Sequence, residues 1–330
     1  MKKRWLIVLL IVLGWGSALS AGEINEWQMT QQAMVFKFLE QRETTLFKIR
    51  KAEETIAKAN TLIDRARQLD NQVAESVALK ALQTAQENKR SFEAKKQQID
   101  RNIAYVRNRM QERAGSDTKI GGMVTNFSGR VRVISGKPPY EAVAMDGDHP
   151  GYFEEGDTIE TYGGSRAEVQ FLDGRGNMTI GEYSRVTMEQ KNPLSETLTV
   201  AKGQIHASVD KAEAFGKWME NQAQMAADDP EQLLKHDFGA IRAWAKKKSN
   251  KFEVRTPSAV TSIRGTTFGI SVDDNGRTVI ELEEGALAVS NPKKGGETLL
   301  RGGEKATVGT EGEIRVEPLT LPSKTWWSQP

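Results

Sequence analysis

Residues 252–285 read FEVRTPSAVTSIRGTTFGISVDDNGRTVIELEEG, and the patterning of this stretch decides the fold class. Pro257 fixes its own φ at about −65° and keeps Thr256 extended, which suits the start of a strand. Phe268, Ile270 and Val272 alternate on one strand face, the period-2 pattern of a half-buried strand. Asp273-Asp274-Asn275-Gly276 then turns the chain into Val279 to Leu282, because Asn-Gly favours the positive φ angles of a hairpin turn. Val260 and Ile263 are expected to face inward. Gly265 permits a backbone geometry or a close approach denied to other residues. Arg264 has five donors to place, so a structural role across a neighbouring strand is preferred to a ligand contact.

The same texture extends on both sides. Arg130 to Ile134, Ala167 to Phe171 and Asn177 to Ile180 alternate, and Asp173-Gly174 supplies another hairpin signal. Short strands at this density indicate an all-β solenoid, barrel or sandwich. A Gly followed by alternating apolar positions recurs at Gly129, Gly203 and Gly285, and Glu155-Gly156-Asp157-Thr158-Ile159 is echoed by Gly303-Glu304-Lys305-Ala306. Recurrence of this kind suggests stacked, similar β units, so a solenoid-like β domain over 120–318 is expected. The pattern breaks at 211–250, where Phe215, Trp218, Met219 and Gln222, and then Leu234, Phe238, Ile241 and Ala245, have helical spacing. Asp229-Pro230-Glu231-Gln232 offers an N-cap, a proline at the first helical position and a reach-back Gln. A helical insertion is expected there. Its Trp218, Phe238 and Trp244 are read as packing on the β domain, with a partner surface as the sharper alternative. Residues 319–330 form a tail.

Between Glu23 and Ala114 there is no Gly and no Pro. The segment is rich in good helix formers. Ile49, Ala52, Ile56, Ala59, Ile63, Ala66, Val73 and Val77 follow three-four spacing, with Asp70 in one seam position; Ala78, Leu82, Ala85, Phe92, Ile99, Ile103, Val106 and Met110 form a second seam shifted by one residue. One straight helix would run to roughly 140 Å and could not bury its seam alone. Leu69-Asp70-Asn71-Gln72 is a natural reversal, since Asp and Asn side chains compete for helical hydrogen bonds. An antiparallel hairpin over 22–114 is therefore favoured over a long parallel coiled coil. The chain as a whole reads as α+β.

Lys+Arg total 46 against 44 Asp+Glu, a net charge of +2, which gives no case for a nucleic-acid partner. Cysteine is absent, which excludes disulfides, thiolate metal sites and a cysteine nucleophile. Met1 to Arg4 is basic, Trp5 to Trp15 is apolar, and Gly16 to Ala21 is rich in small residues. This is the three-part form of a signal peptide over 1–21; eleven apolar residues are short for a span of about 20. Cleavage near Ala21 and a periplasmic or secreted product without a membrane span are expected, an uncleaved anchor being the alternative.

No catalytic constellation, metal site or cofactor is expected. His149, His206 and His236 stand apart in the sequence without ligand spacing. Asp146-Gly147-Asp148 lacks the further oxygen ligands of a calcium loop and reads as a turn. No phosphate loop, dinucleotide fingerprint or nucleophile elbow appears.

Thr256-Pro257 followed by Arg264-Gly265-Thr266-Thr267-Phe268 resembles the signature of the FecR family of extracytoplasmic regulatory and sensor domains. Gly203-Gln204-Ile205, Glu284 to Val289, Gly156 to Ile159 and Ser165 to Val169 continue the likeness, which covers roughly Gly121 to Pro318. The resemblance implies a module outside the cytoplasmic membrane that relays a signal. In the regulator that names the family, a cytoplasmic segment controls an alternative sigma factor. Only Met1 to Arg4 precede the apolar run here, so no sigma-factor-binding domain is expected. The leading expectation is a non-catalytic envelope protein whose FecR-like domain binds a protein or glycan, with the helices giving reach or self-association. The alternative is a coiled-coil scaffold of the envelope or of a secretion or surface-polymer system. Thr256, Pro257, Arg264, Gly265, Thr266 and Phe268 are expected to serve the fold first.

Overall fold

A computed structural model of the chain describes residues 26–112, 120–145, 151–171, 176–192, 195–210, 217, 252–263, 265–320 and 326–328. The segment 1–21 expected as a signal peptide, Arg264, Asp146-Gly147-Asp148, Trp218, Phe238, Trp244 and, but for Lys217, the expected insertion at 211–250 lie outside these residues. Two long helices precede a large, almost wholly antiparallel sheet, an α+β architecture. Among the described residues no helix is long and apolar enough to cross a membrane.

Helices α1 (Glu26–Gln68) and α2 (Gln72–Glu112) are uninterrupted. They run antiparallel, because Arg42 pairs with Asp100 at 2.6 Å, Glu53 with Lys89 at 2.9 Å and Arg67 with Glu75 at 2.6 Å, one constant register. The reversal falls on Asp70 and Asn71. Asp70 takes a φ of 51°, its N–H donates to the Arg67 carbonyl, and the Asn71 N–H donates to that of Ala66. This is the Schellman pattern that satisfies carbonyls left over at a helix end. The Asn71 side chain then accepts the Ala74 N–H at 3.0 Å and caps α2.

Ile49, Ala52, Ala59, Ile63 and Ala66 of α1 are buried, as are Ala78, Ala85, Ile99, Ile103 and Val106 of α2. Val73 and Val77 depart from the expected seam and are 77% and 67% exposed. The left-handed residue at the reversal resets the helical phase, so α2 buries the face led by Ala78 instead of continuing that of α1.

The strands form one continuous sheet rolled into a half-barrel with two walls. The near wall holds β1 (Ile120–Ser128), β4 (Gly151–Glu154), β6 (Arg166–Phe171), β7 (Gly176–Ile180), β12 (Thr266–Val272), β13 (Thr278–Glu284), β16 (Glu304–Val308) and β17 (Ile314–Pro318). The far wall holds β2 (Val131–Ile134), β3 (Ala142–Ala144), β5 (Thr158–Thr161), β8 (Arg185–Asn192), β10 (Phe252–Arg255), β11 (Val260–Ile263), β14 (Ala286–Ser290) and β15 (Glu297–Arg301). β9 (Ser195–Val209) belongs to both: its first half pairs with β8 and β10, its second with β7 and β12. The near wall is ordered β4-β1-β6-β7-β9-β12-β13-β16-β17 and the far wall β3-β2-β5-β8-β9-β10-β11-β14-β15.

This arrangement replaces the expected solenoid. Stacked solenoid coils pair in parallel, whereas among the described residues only β9 and β10 do so. The recurring glycines mark something else. Each of the described turns that carries the chain from one wall to the other holds a residue of positive φ: Gly129, Gly156, Gly164, Tyr183, Gly203, Gly265, Gly285 or Gly303. The repeat read in the sequence is a repeat of corners.

One apolar core fills the space between the walls, with Phe153, Phe171, Phe252 and Phe268 fully buried. The rings of Phe171 and Phe252 meet across it at 5.1 Å. Within β11, Thr261 and Ile263 face this core and Val260 points away. The expectation that Val260 and Ile263 share a face fails on the two-residue period of a strand.

The helices stand on the outer face of the near wall. Met34, Val35 and Phe38 of α1 and Ile99, Ile103 and Val106 of α2 pack on Met123 of β1. The side-chain amides of Gln98 and Asn102 donate to the Thr125 carbonyl at 3.0 and 3.1 Å. Lys37 pairs with Asp210 at 3.7 Å. Among the described residues no hydrogen bond or ion pair joins residues 46–91 to the sheet. Beyond Lys48 and Ser91, which still border a cavity shared with Gln170, Asn177 and Ser208, about 30 Å of the hairpin extends from the sheet at 1.5 Å per residue.

Candidate functional site

The residues singled out around Thr256 come together as a buried polar knot at one corner of the half-barrel. Pro257 and Ser258 form the turn from β10 to β11. The Thr256 N–H donates to the Ala259 carbonyl at 2.8 Å, and the Ala259 N–H donates to Thr256 Oγ1 at 2.9 Å. Thr256 Oγ1 also lies 2.7 Å from Thr278 Oγ1 at the start of β13. The Ser258 hydroxyl reaches Thr278 Oγ1 at 2.8 Å and the Val308 carbonyl at 3.2 Å, while the Asn291 amide donates to the Ser258 carbonyl at 2.7 Å. Thr256, Ser258, Thr278 and Asn291 are all buried. The knot thus ties two far-wall turns to two near-wall strands. Such fully paired polar groups specify one arrangement of the elements they join.

Phe268 has no exposed surface; it sits in β12 between Leu282 and Ala207. Gly265 forms a wall-to-wall corner whose carbonyl would lie 2.7 Å from a Cβ placed on Gly285. Thr266 is buried, and its hydroxyl has no hydrogen-bond partner in the structure. Thr256, Thr266 and Phe268 are therefore buried, with little polar surface for an external ligand, while Gly265 and Thr267 are half-buried and Pro257 is exposed.

Sequence reasoning missed Ser258, Thr278 and Asn291, whose roles depend on strands brought together from far along the chain. The one local signal was Ser258 beside Pro257, a turn pair. It also missed a second cluster, on the outer face of the near wall. The His206 ring stacks on Trp327 with centroids 4.4 Å apart and planes 7° from parallel. His206 Nε2 lies 3.1 Å from Glu283 Oε1, and the Arg166 guanidinium donates to the Trp327 carbonyl at 2.9 Å. Burial pushes the imidazole below its ordinary value near 6.5; Glu283 pulls it back up, and Arg166 adds to the lowering. A neutral ring facing a carboxylate through Nε2 carries its proton on that nitrogen and donates it. The cluster clamps the segment Trp326–Ser328 onto the sheet. Among the described residues no group of three or more His, Asp or Glu side chains is placed to hold a metal ion.

The free surface of chemical interest is on the hairpin. Phe47, Leu62, Leu69, Val73, Val77 and Leu79 all expose large apolar side chains there. The other large apolar groups in the open, Tyr140, Val143, Tyr183, Leu299 and Val316, are scattered over turns and outer strands of the sheet. Exposed apolar residues on a surface helix that leave a groove between them are candidates for a contact, whereas isolated ones are ordinary.

No curated protein shows significant similarity to the chain. Two crystal structures of a protein provisionally assigned as an anti-sigma factor from Parabacteroides distasonis ATCC 8503, at 1.65 and 2.50 Å resolution, each align at 14% identity with a TM-score of 0.34. The alignment covers 49% of this chain and 59% of that one, so the chain spans less than two thirds of its length. Residues 218–288 match the family model described as FecR protein. The match is narrower than the likeness read from the sequence: it begins at Trp218, within the stretch taken as an insertion, and does not reach Gly156 to Val169. It does take in the knot residues Thr256, Ser258 and Thr278, the Gly265 corner and Phe268, so over this segment the chain is similar to the FecR proteins.

Proposed function

We propose that this chain is a non-catalytic, exported envelope protein of sensing or signalling type, in which the half-barrel is a rigid base and the hairpin is the arm that meets a protein partner. The carrying observation is the number of large apolar side chains exposed on the hairpin. Burying each such side chain in a complex is worth about 1.5–3 kcal/mol. The polar knot and Phe268 point inward, which leaves recognition to the arm instead of the motif. Export rests on the basic, apolar and small-residue order of residues 1–21. A glycan partner is less well served by aliphatic side chains than a protein one.

The test is capture from an envelope fraction by the mature full-length protein and by a Leu62→Ser, Leu69→Ser, Val73→Ser variant. The expected result is that the variant keeps its helicity and melting temperature but loses the captured protein. Undiminished capture would take recognition away from the tip of the hairpin, and a Phe47→Ser, Val77→Ser variant that also kept full capture would move it to the half-barrel. A second reading, an envelope scaffold built by self-association of the hairpin, is favoured by the same surface; light scattering on the two proteins separates it, since a scaffold would be oligomeric only with the apolar residues intact.

A further inference from the structure

Resting on the reading of the hairpin as a docking arm, we propose that its groove between residues 47–55 and 77–92 receives an acidic amphipathic helix, which completes a three-helix bundle. The groove has a volume of about 710 Å³. Its floor is small: Ala52 and Ala85 lie buried between the helices, and Ala81 beside them leaves room for a third backbone to approach. Phe47 and Val77, 54% and 67% exposed, stand as apolar anchors at its margins. From Val77 to Phe92 the groove follows α2 for about 22 Å at 1.5 Å per residue. That length suits a helix of four turns carrying apolar residues at i, i+3 or i+4 and i+7.

The charge of the rim selects the partner. Lys48, Lys51 and Lys80 line the groove, and no Asp or Glu does. The Lys48 ammonium lies over the Phe92 ring and that of Lys51 over the Phe47 ring, each 5.7 Å from the centroid. Their stems thus widen the apolar floor; Lys51 is paired with Glu54 at 3.0 Å, so the positive charge of the rim rests on Lys48 and Lys80. Acidic residues flanking an apolar stripe would meet this rim with favourable sign. A second copy of the hairpin docked through the same face would instead set lysine against lysine, which argues against self-pairing there.

Two 16-residue fluorescent peptides test the proposal, each with Leu at positions i, i+3, i+7, i+10 and i+14, one flanked by Glu and one by Lys. Binding to the mature full-length protein is read by anisotropy. We expect the Glu peptide to bind at least about tenfold more tightly than the Lys peptide, with the gap closing as salt is raised. The Lys48→Glu, Lys51→Glu, Lys80→Glu variant is expected to invert the preference, and Ala81→Glu to abolish binding of both by filling the floor. All these side chains are exposed, so circular dichroism is expected to be unchanged. Equal binding of the two peptides overturns the charge inference while leaving the docking arm intact. Binding of neither peptide overturns the groove itself, and the envelope capture then decides independently whether the arm has a partner. Dimerisation abolished by Ala81→Glu assigns the groove to a second copy and overturns the proposal.

Discussion

The corner glycines offer a comparison in which one variable changes at a time. Gly285 and Gly303 both turn the chain between walls, with φ of 95° and 86°. An alanine at either must hold an L-residue in a region it rarely adopts, at about 1–3 kcal/mol. The surroundings differ. A Cβ on Gly285 would meet the Gly265 carbonyl oxygen and Thr266 Cγ2 at 2.7 Å and Thr266 Cα at 3.2 Å, whereas nothing lies within 4 Å of one on Gly303. The Gly265 contact is backbone at a paired corner and cannot swing aside, so overpacking adds about 1–3 kcal/mol at Gly285 alone. Gly303→Ala is expected to cost only the backbone share and Gly285→Ala about 2–6 kcal/mol in all. At about 2–4 °C per kcal/mol for a domain of this size, Gly285→Ala should melt several degrees below Gly303→Ala. Denaturant titration with equal m-values would convert the shifts to free energies. Equal losses at the two sites would refute the reasoning, because the close approach of the two corners would then carry no energy.

Three further outcomes follow from the core and the clamp. Phe268→Ala removes a side chain with no exposed surface and is expected to cost about 3–5 kcal/mol, read by thermal or urea unfolding. Thr266→Val replaces a buried hydroxyl without a partner and is expected to leave stability unchanged or raise it by up to about 1 kcal/mol; a clear loss would show that this hydroxyl has a bonding role. His206 has its folded pKa lowered, chiefly by burial, so the unfolded chain takes up its proton first as the pH falls. Its contribution is therefore fully present above about 6.5, the unfolded value, and is lost progressively below it. His206→Gln should flatten the fall in stability on acidification below that value, and an unchanged pH profile would show that the clamp does not feel the proton.

The helical region was legible because Glu23 to Ala114 lack Gly and Pro and carry apolar residues at three-four spacing. The reversal was legible for a local reason, since Asp70 tolerates a left-handed φ and Asn71 caps the next helix through its own side chain. Val73 and Val77 were misplaced because the turn that Asp70 makes also breaks the helical phase, and spacing alone carries a seam straight through it. In the sheet, alternation gave inward faces correctly at Phe268, Ile270 and Val272. The recurring glycines were visible but their meaning was not: a residue of positive φ has the same sequence signature in a solenoid coil and at a corner between antiparallel walls. Pairing direction depends on where the chain goes next. The candidate surface was hidden for a related reason. Phe47 and Leu62 read as ordinary apolar residues of a helix until the width of the alanine seam shows which of them it leaves outside.

The parallel pairing of β9 with β10 sets what the connection between them must do. β9 ends at Val209 on the near wall, whereas β10 begins at Phe252 beside Glu196, near the other end of β9. The chain must therefore travel back along β9, a distance of at most roughly 43 Å for its length of strand at about 3.3 Å per residue. An extended tether of about 13 residues is enough for that, and 41 residues, 211–251, occupy the interval. Reach is thus a requirement that the interval meets with length to spare, and each doubling of a connection's length costs just about 0.6 kcal/mol in closure entropy. In topological terms β9 therefore serves as the spine shared by both walls: a connection of whatever sequence between its end and β10 must span that length to keep the parallel pairing of β9 with β10.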